Sequence, residues 1–146
     1  MKPGSRLALP CACAATRLAA RVLTGVYDQE LRPSGLQATQ FGLLAALDRD
    51  AGASQEQLAR WLAMDQSTLS RNLKGLARKH WVTHEVLPGT RSARYHATAA
   101  GRAALTRARP AWQRAQKRVE RAMGNDWEAL WPLLRKLSSL NVERRT

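Results

Sequence analysis

Isoleucine is missing from this chain of 146 residues, and aromatic residues other than its five tryptophans are scarce, with one Phe and two Tyr. The apolar set is left to Ala and Leu, and that balance favours helices, because Ala and unbranched side chains lose least on entering one. Acidic residues are few as well: eleven Asp and Glu stand against 24 Lys and Arg, a net charge of +13. No stretch approaches the roughly 18 uncharged apolar residues of a membrane span, so no membrane-embedded role is expected. Two cysteines, Cys11 and Cys13, are too few for a disulfide framework, and a reducing cytoplasm is the expected compartment. Also absent are a Cys-x-x-Cys pair, a glycine loop for phosphate, a carboxylate cluster and a histidine beside a nucleophile. Those absences argue against an enzyme and against a cofactor.

The charge that is present points to a polyanion, with nucleic acid first. Near the start, Lys2 and Arg6 precede an apolar run from Leu7 to Ala15 that resembles a short secretory leader. Pro10 interrupts that run, and Arg17 and Arg21 follow in helical register, so the segment reads as mature protein.

Periodicity organises the rest. Leu18, Val22 and Val26 recur every four residues in a predicted helix from Pro10 to Leu31, with Pro10 in its first position. Pro33-Ser34-Gly35 ends it, and a second helix covers Thr39 to Asp48. Asp50 to Ala53 reads as a turn. Ser54 with Gln57 forms a capping box for a short helix whose inward face is Leu58, Trp61 and Leu62. Asp65 caps the next helix, to Lys79, with Leu69, Leu73 and Leu76 on one side. Val82 to Leu87 alternates as a strand, Pro88 to Ser92 is a hairpin loop, and Arg94 to Thr98 returns. Thr98 caps a long helix from Ala99 to Met123, broken or bent at Pro110, and Gly124 closes it. The last helix starts near Asn125 or Asp126, and Pro132 inside it leaves two readings, a kinked helix or one that begins at Trp131.

Two short helices joined by about three residues and followed by a two-stranded hairpin make a winged helix-turn-helix. The expected fold is mainly α with a small β-hairpin wing, a winged helix-turn-helix over 39–98 flanked by dimerisation helices at 10–32 and 99–143. A helix fits the major groove, and the helix from Asp65 would present Gln66, Ser67, Thr68, Ser70, Arg71 and Lys74 to DNA. Gln66 suits adenine, Arg71 or Lys74 suit guanine or phosphate, and the short hydroxyls permit close approach. Ser54 joins the expected DNA-binding set, and Arg91 and Arg94 on the wing are placed to enter the minor groove. Trp112, Trp127 and Trp131 would expose roughly 150–250 Å² each in a monomer, which favours burial against a second copy.

The runs Ser54 to Ala59, Met64 to Arg71 and Thr98 to Arg102 resemble the MarR (multiple antibiotic resistance) family of bacterial regulators. The resemblance implies a triangular homodimer that binds a pseudo-palindromic operator in double-stranded DNA as a repressor. It also implies relief by a small-molecule effector or by thiol oxidation, with the effector near Arg17, Arg21 and Trp112. The family commonly carries an Asp two residues before the wing arginine; here that position is Gly89, which implies a looser wing tip.

The thiols admit two readings. A place at a helix start, with Arg17 four residues beyond Cys13, favours thiolate and hence sensing of oxidants or soft metals. Against it, residues two apart on a helix diverge, and free Cys is often a small buried hydrophobe. His84 and His96 could face each other across the hairpin, but with only Glu85 beside them no metal site is expected, and they read as strand residues near phosphate. An architectural DNA-binding protein without a ligand is the main alternative, and a thiol-redox enzyme a distant one.

Overall fold

Leucines at helical spacing fill one core, and the helix caps set where each element that builds it begins. The computed structural model describes residues 11–50, 52–90 and 92–140. Helix α1 spans Ala12–Leu31, followed by a 3₁₀ turn at Arg32–Ser34 and then α2, Ala38–Arg49. Strand β1, Ala53–Ser54, leads into α3, Gln55–Trp61, and α4, Gln66–Arg78. Strands β2, Val82–Val86, and β3, Ala93–Ala97, form the hairpin. Helix α5, Ala99–Met123, a 3₁₀ turn at Gly124–Asp126 and α6, Trp127–Ser138, complete the chain.

The expected caps are in place. Ser54 Oγ accepts from Gln57 N at 3.2 Å while Gln57 Oε1 accepts from Ser54 N at 2.9 Å. Replacing Ser54 by Ala removes half of this box, and thermal melts are expected to show a loss of about 1 kcal/mol. Asp65 caps α4 and Thr98 caps α5, its Oγ1 accepting from Gly101 N at 3.0 Å. The Thr98 hydroxyl also donates to His80 O at 2.7 Å, so one side chain ties the end of α4 to the start of α5. Helix α2 begins with a capping box of its own, Gln37 with Gln40, and Asp28 of α1 accepts from Ala38 N at 2.6 Å.

Leu43, Leu44, Leu58, Leu69, Leu76 and Leu105 are fully buried, drawn from four helices. Along α5, Ala104, Ala108, Ala111 and Ala115 are buried and keep that helix close to its neighbours. Glu30 and Gln29 of α1 accept from Arg114 Nε and Arg118 Nη1 of α5 at 3.1 and 3.0 Å. Trp112 stacks on Phe41, ring centroids 5.9 Å apart, so its surface is partly covered within the chain.

Several expectations need correction. The first helix starts at Ala12 with Cys11 as its N-cap; Pro10, expected in the first helical position, lies outside the described residues. The turn at 50–53 gives way to β1, so the sheet has three strands, in the order β1-β3-β2, both pairs antiparallel. Trp61 points outward, 48% exposed: α3 is only two turns long, and Leu58 and Leu62 occupy the narrow arc that meets the core. Helix α5 continues through Pro110, and α6 begins at Trp127 and continues through Pro132. Each proline removes one backbone bond, to Thr106 and Glu128 respectively, and both of those residues are exposed.

The chain ends carry an uncovered apolar face. Leu18 and Val22 of α1 are exposed, and Leu133, Leu134 and Leu137 of α6 stand open beside Trp131, which meets Trp127 edge to face.

Candidate nucleic-acid interface

Helix α4 is anchored on one side and open on the other. Leu69, Leu73 and Leu76 are buried, whereas Gln66, Ser67, Arg71 and Lys74 are exposed and Thr68 and Ser70 half-buried. All six polar residues expected to meet DNA therefore lie off the buried stripe. Among the described residues, Arg71 and Lys74 form no ion pair. Lys79, at the end of the helix, is occupied elsewhere, donating to Gly35 O and lying over the Trp81 ring.

The leading edge is ordered by Asp65, which does more than cap the helix. Asp65 Oδ1 accepts from Thr68 N at 2.8 Å and from Ser67 Oγ at 2.7 Å, and Oδ2 accepts from Thr68 Oγ1 at 2.6 Å. These bonds, with the Thr68 hydroxyl foremost, hold the Asp65 carboxyl far below the ordinary carboxylate range. Thr68 Oγ1 in turn lies 3.5 Å from Arg71 Nη2. The signal was legible: an N-cap Asp with hydroxyl residues two and three places on has all its partners within one turn. Asn72 was missed; its amide donates to Thr68 O at 2.9 Å and faces Thr39 of α2.

The wing hairpin is joined to β1 through β3. Ser54 pairs with Arg94 across β1 and β3, and Arg94 also lies opposite Glu85. Arg94 is exposed, and Arg91 lies outside the described residues. At the hairpin tip, Leu87 N donates to Ser92 O at 2.9 Å, and the Thr90 hydroxyl donates to Leu87 O and accepts from Ser92 N, both at 3.1 Å. Gly89 occupies a left-handed conformation, φ 72°.

A family model described as the MarR family matches residues 34–91. The chain is 38% identical to the M. tuberculosis transcriptional regulator MosR, solved in complex with DNA; the match covers 87% of this chain and 92% of that one, with a TM-score of 0.78. The chain belongs to the MarR family. It is thus one of a family of DNA-binding transcriptional regulators. Wild-type MarR of E. coli, 19% identical over 90% of this chain and 99% of that one, has the same fold at a TM-score of 0.71. BpsR of Bordetella bronchiseptica has it too, at 22% identity over 90% of this chain and 96% of that one and a TM-score of 0.80. No curated protein sequence matches significantly.

Within this MarR-family chain the remaining expected residues are scattered. Cys11 and Cys13 are both exposed. Cys11, at φ −106° and ψ 114°, is extended, so the divergence of helical residues two apart does not apply to this pair. Arg17 and Arg21 lie exposed on α1, while Trp112 is packed on Phe41. A cleft of about 460 Å³ opens between the end of α1 and the end of α4, lined by Asp28, Arg32, Gln37, Gln40 and Lys79 among others, and by none of those three.

His84 and His96 do not face each other: His84 lies opposite Tyr95 and His96 opposite Thr83. His96 Nε2 instead meets Glu85 Oε1 at 3.2 Å, because a one-residue offset in register sends neighbouring side chains to opposite sheet faces.

Between residues 35 and 98 there are eight Lys and Arg against five Asp and Glu, whereas the flanking segments hold sixteen against six. Most of the charge surplus thus lies outside the lobe that carries α4.

Proposed function

We propose that this protein is a cytoplasmic homodimer that represses transcription by seating α4 of each copy in the major groove of a pseudo-palindromic operator. The observation that carries the reading is the division of α4: three leucines bolt it to the core while Gln66, Arg71 and Lys74 stand free on its outer edge. Ser54, Ser67, Thr68, Ser70, Arg91 and Arg94 complete the contact set, the wing arginines on the adjacent minor groove. The partner copy covers the open apolar faces of α1 and α6, which gives residues 12–31 and 99–138 the role of dimerisation helices and 38–98 that of the reading lobe. Catalysis has no part in this reading.

Repression is relieved by a small molecule or by modification of Cys11 and Cys13. The exposure of both thiols supports the second route, and Arg17, Arg21 and Trp112 remain the proposed effector contacts of the first.

Selection of bound fragments from random DNA, with and without oxidant, tests the reading. One enriched pseudo-palindrome with half-sites about 10 base pairs apart is expected, together with its loss on oxidation and retention in a Cys11→Ser, Cys13→Ser double variant. Even recovery of all sequences would assign the protein an architectural role instead. Retained binding of the unsubstituted chain under oxidant would leave relief to the small molecule alone.

A further inference from the structure

The carboxylate at the start of α4 changes what that helix offers to a base. A hydroxyl has one proton to give, and both Ser67 and Thr68 give theirs to Asp65, at 2.7 and 2.6 Å. A carboxylate has about four lone-pair positions; Ser67 Oγ, Thr68 N and Thr68 Oγ1 fill three of them, which leaves one on Oδ2. From Asp65 to Thr68 the exposed side-chain edge, apart from the Gln66 amide, therefore holds acceptors and a full negative charge. Such an edge repels phosphate. It matches a base edge that presents a donor, the exocyclic amino group of cytosine or adenine in the major groove.

Resting on the reading that α4 faces DNA, we propose that Asp65 is a specificity-determining residue. Its free lone pair accepts from an exocyclic amino group of the operator, and its hold on Thr68 positions Arg71 for its own contact. Ser67 and Thr68 then act through their lone pairs and through Arg71, and do not donate to phosphate. Thr68 is the link to Arg71, since its proton points to Asp65 and a lone pair faces the guanidinium 3.5 Å away.

The test uses the full chain and the DNA fragment enriched from random sequence, with every base pair of one half-site replaced in turn. A random duplex of equal length serves as the reference. The unsubstituted protein is expected to prefer cytosine or adenine at one position by about 5- to 100-fold, and the replacements show which of the two. Asp65→Asn keeps an oxygen to cap Thr68 N but places an amide donor where the carboxylate accepted. It should lose that preference, weaken the one set by Arg71 because the Thr68 hydroxyl loses its acceptor, keep the rest, and bind the random duplex more tightly as a negative charge leaves the interface. Asp65→Ser, also a good cap, should lose the same preference, which separates charge from capping.

Thr68→Val should weaken the base preference set by Arg71, and Thr68→Ser should restore it. Base preferences unchanged in both Asp65 variants, or lost equally at every position, would overturn the proposal and leave Asp65 a helix cap. A wild-type chain that enriches no fragment would instead sink the regulator reading itself, so the two failures are distinguishable.

Discussion

Gly101→Ala is expected to lower stability by about 3 kcal/mol, although it places the best helix former in a helix. On propensity alone the change should gain close to 1 kcal/mol. The opposite sign follows from packing. A Cβ at residue 101 would sit 2.0 Å from the Trp81 carbonyl oxygen and 2.9 Å from its carbon. Those atoms are backbone, so no rotamer change relieves the clash. The same oxygen accepts from Thr98 N at 3.0 Å, and Thr98 also holds His80 O. Pushing α5 away from Trp81 therefore loosens the junction of α4, β2 and α5 together. Thermal unfolding should show a Tm lower by roughly 6 to 12 °C, and DNA affinity should fall with it because the wing loses its anchor. An unchanged or higher Tm would contradict the packing.

Arg71→Ala is expected to leave the melting curve in place and to weaken specific DNA binding by about 1–3 kcal/mol. Arg71 is exposed and holds nothing in the core; its recorded bond is the 3.5 Å approach to Thr68. Titrations on the selected fragment and on single-base variants show what it touches. A loss confined to one base pair means contact with a base edge. A uniform loss, with the salt slope reduced by about one unit, means contact with phosphate. No loss on any sequence would remove α4 from the interface.

The parts of the fold that were legible are those decided within four residues of chain. Ser54, Asp65 and Thr98 cap their helices as expected because an N-cap and its amide partner are near neighbours in sequence. The buried leucines of α4 were legible for the same reason: a 3.6-residue repeat is a local property. Strand β1 was not. It is two residues long, and its partner Tyr95 is 42 residues away, so only the closed sheet makes it a strand. The side of the hairpin on which His84 and His96 emerge was likewise a matter of register, which no single strand contains. Neither proline broke its helix, because whether a lost bond matters depends on whether water can reach the orphaned carbonyl.

By itself the sequence determined the order and type of the elements, the polar edge of α4 and the excess of positive charge. Each is a property of residue types or of spacing along one segment. Tertiary structure alone decided that Gly101 lies against a carbonyl and that Trp61 faces outward while Trp112 stacks on Phe41. It also decided that the protons of Ser67 and Thr68 are already committed to Asp65. Those outcomes depend on which atoms meet once the chain has closed on itself, and a side chain's chemistry toward a partner is whatever its own neighbours leave unused.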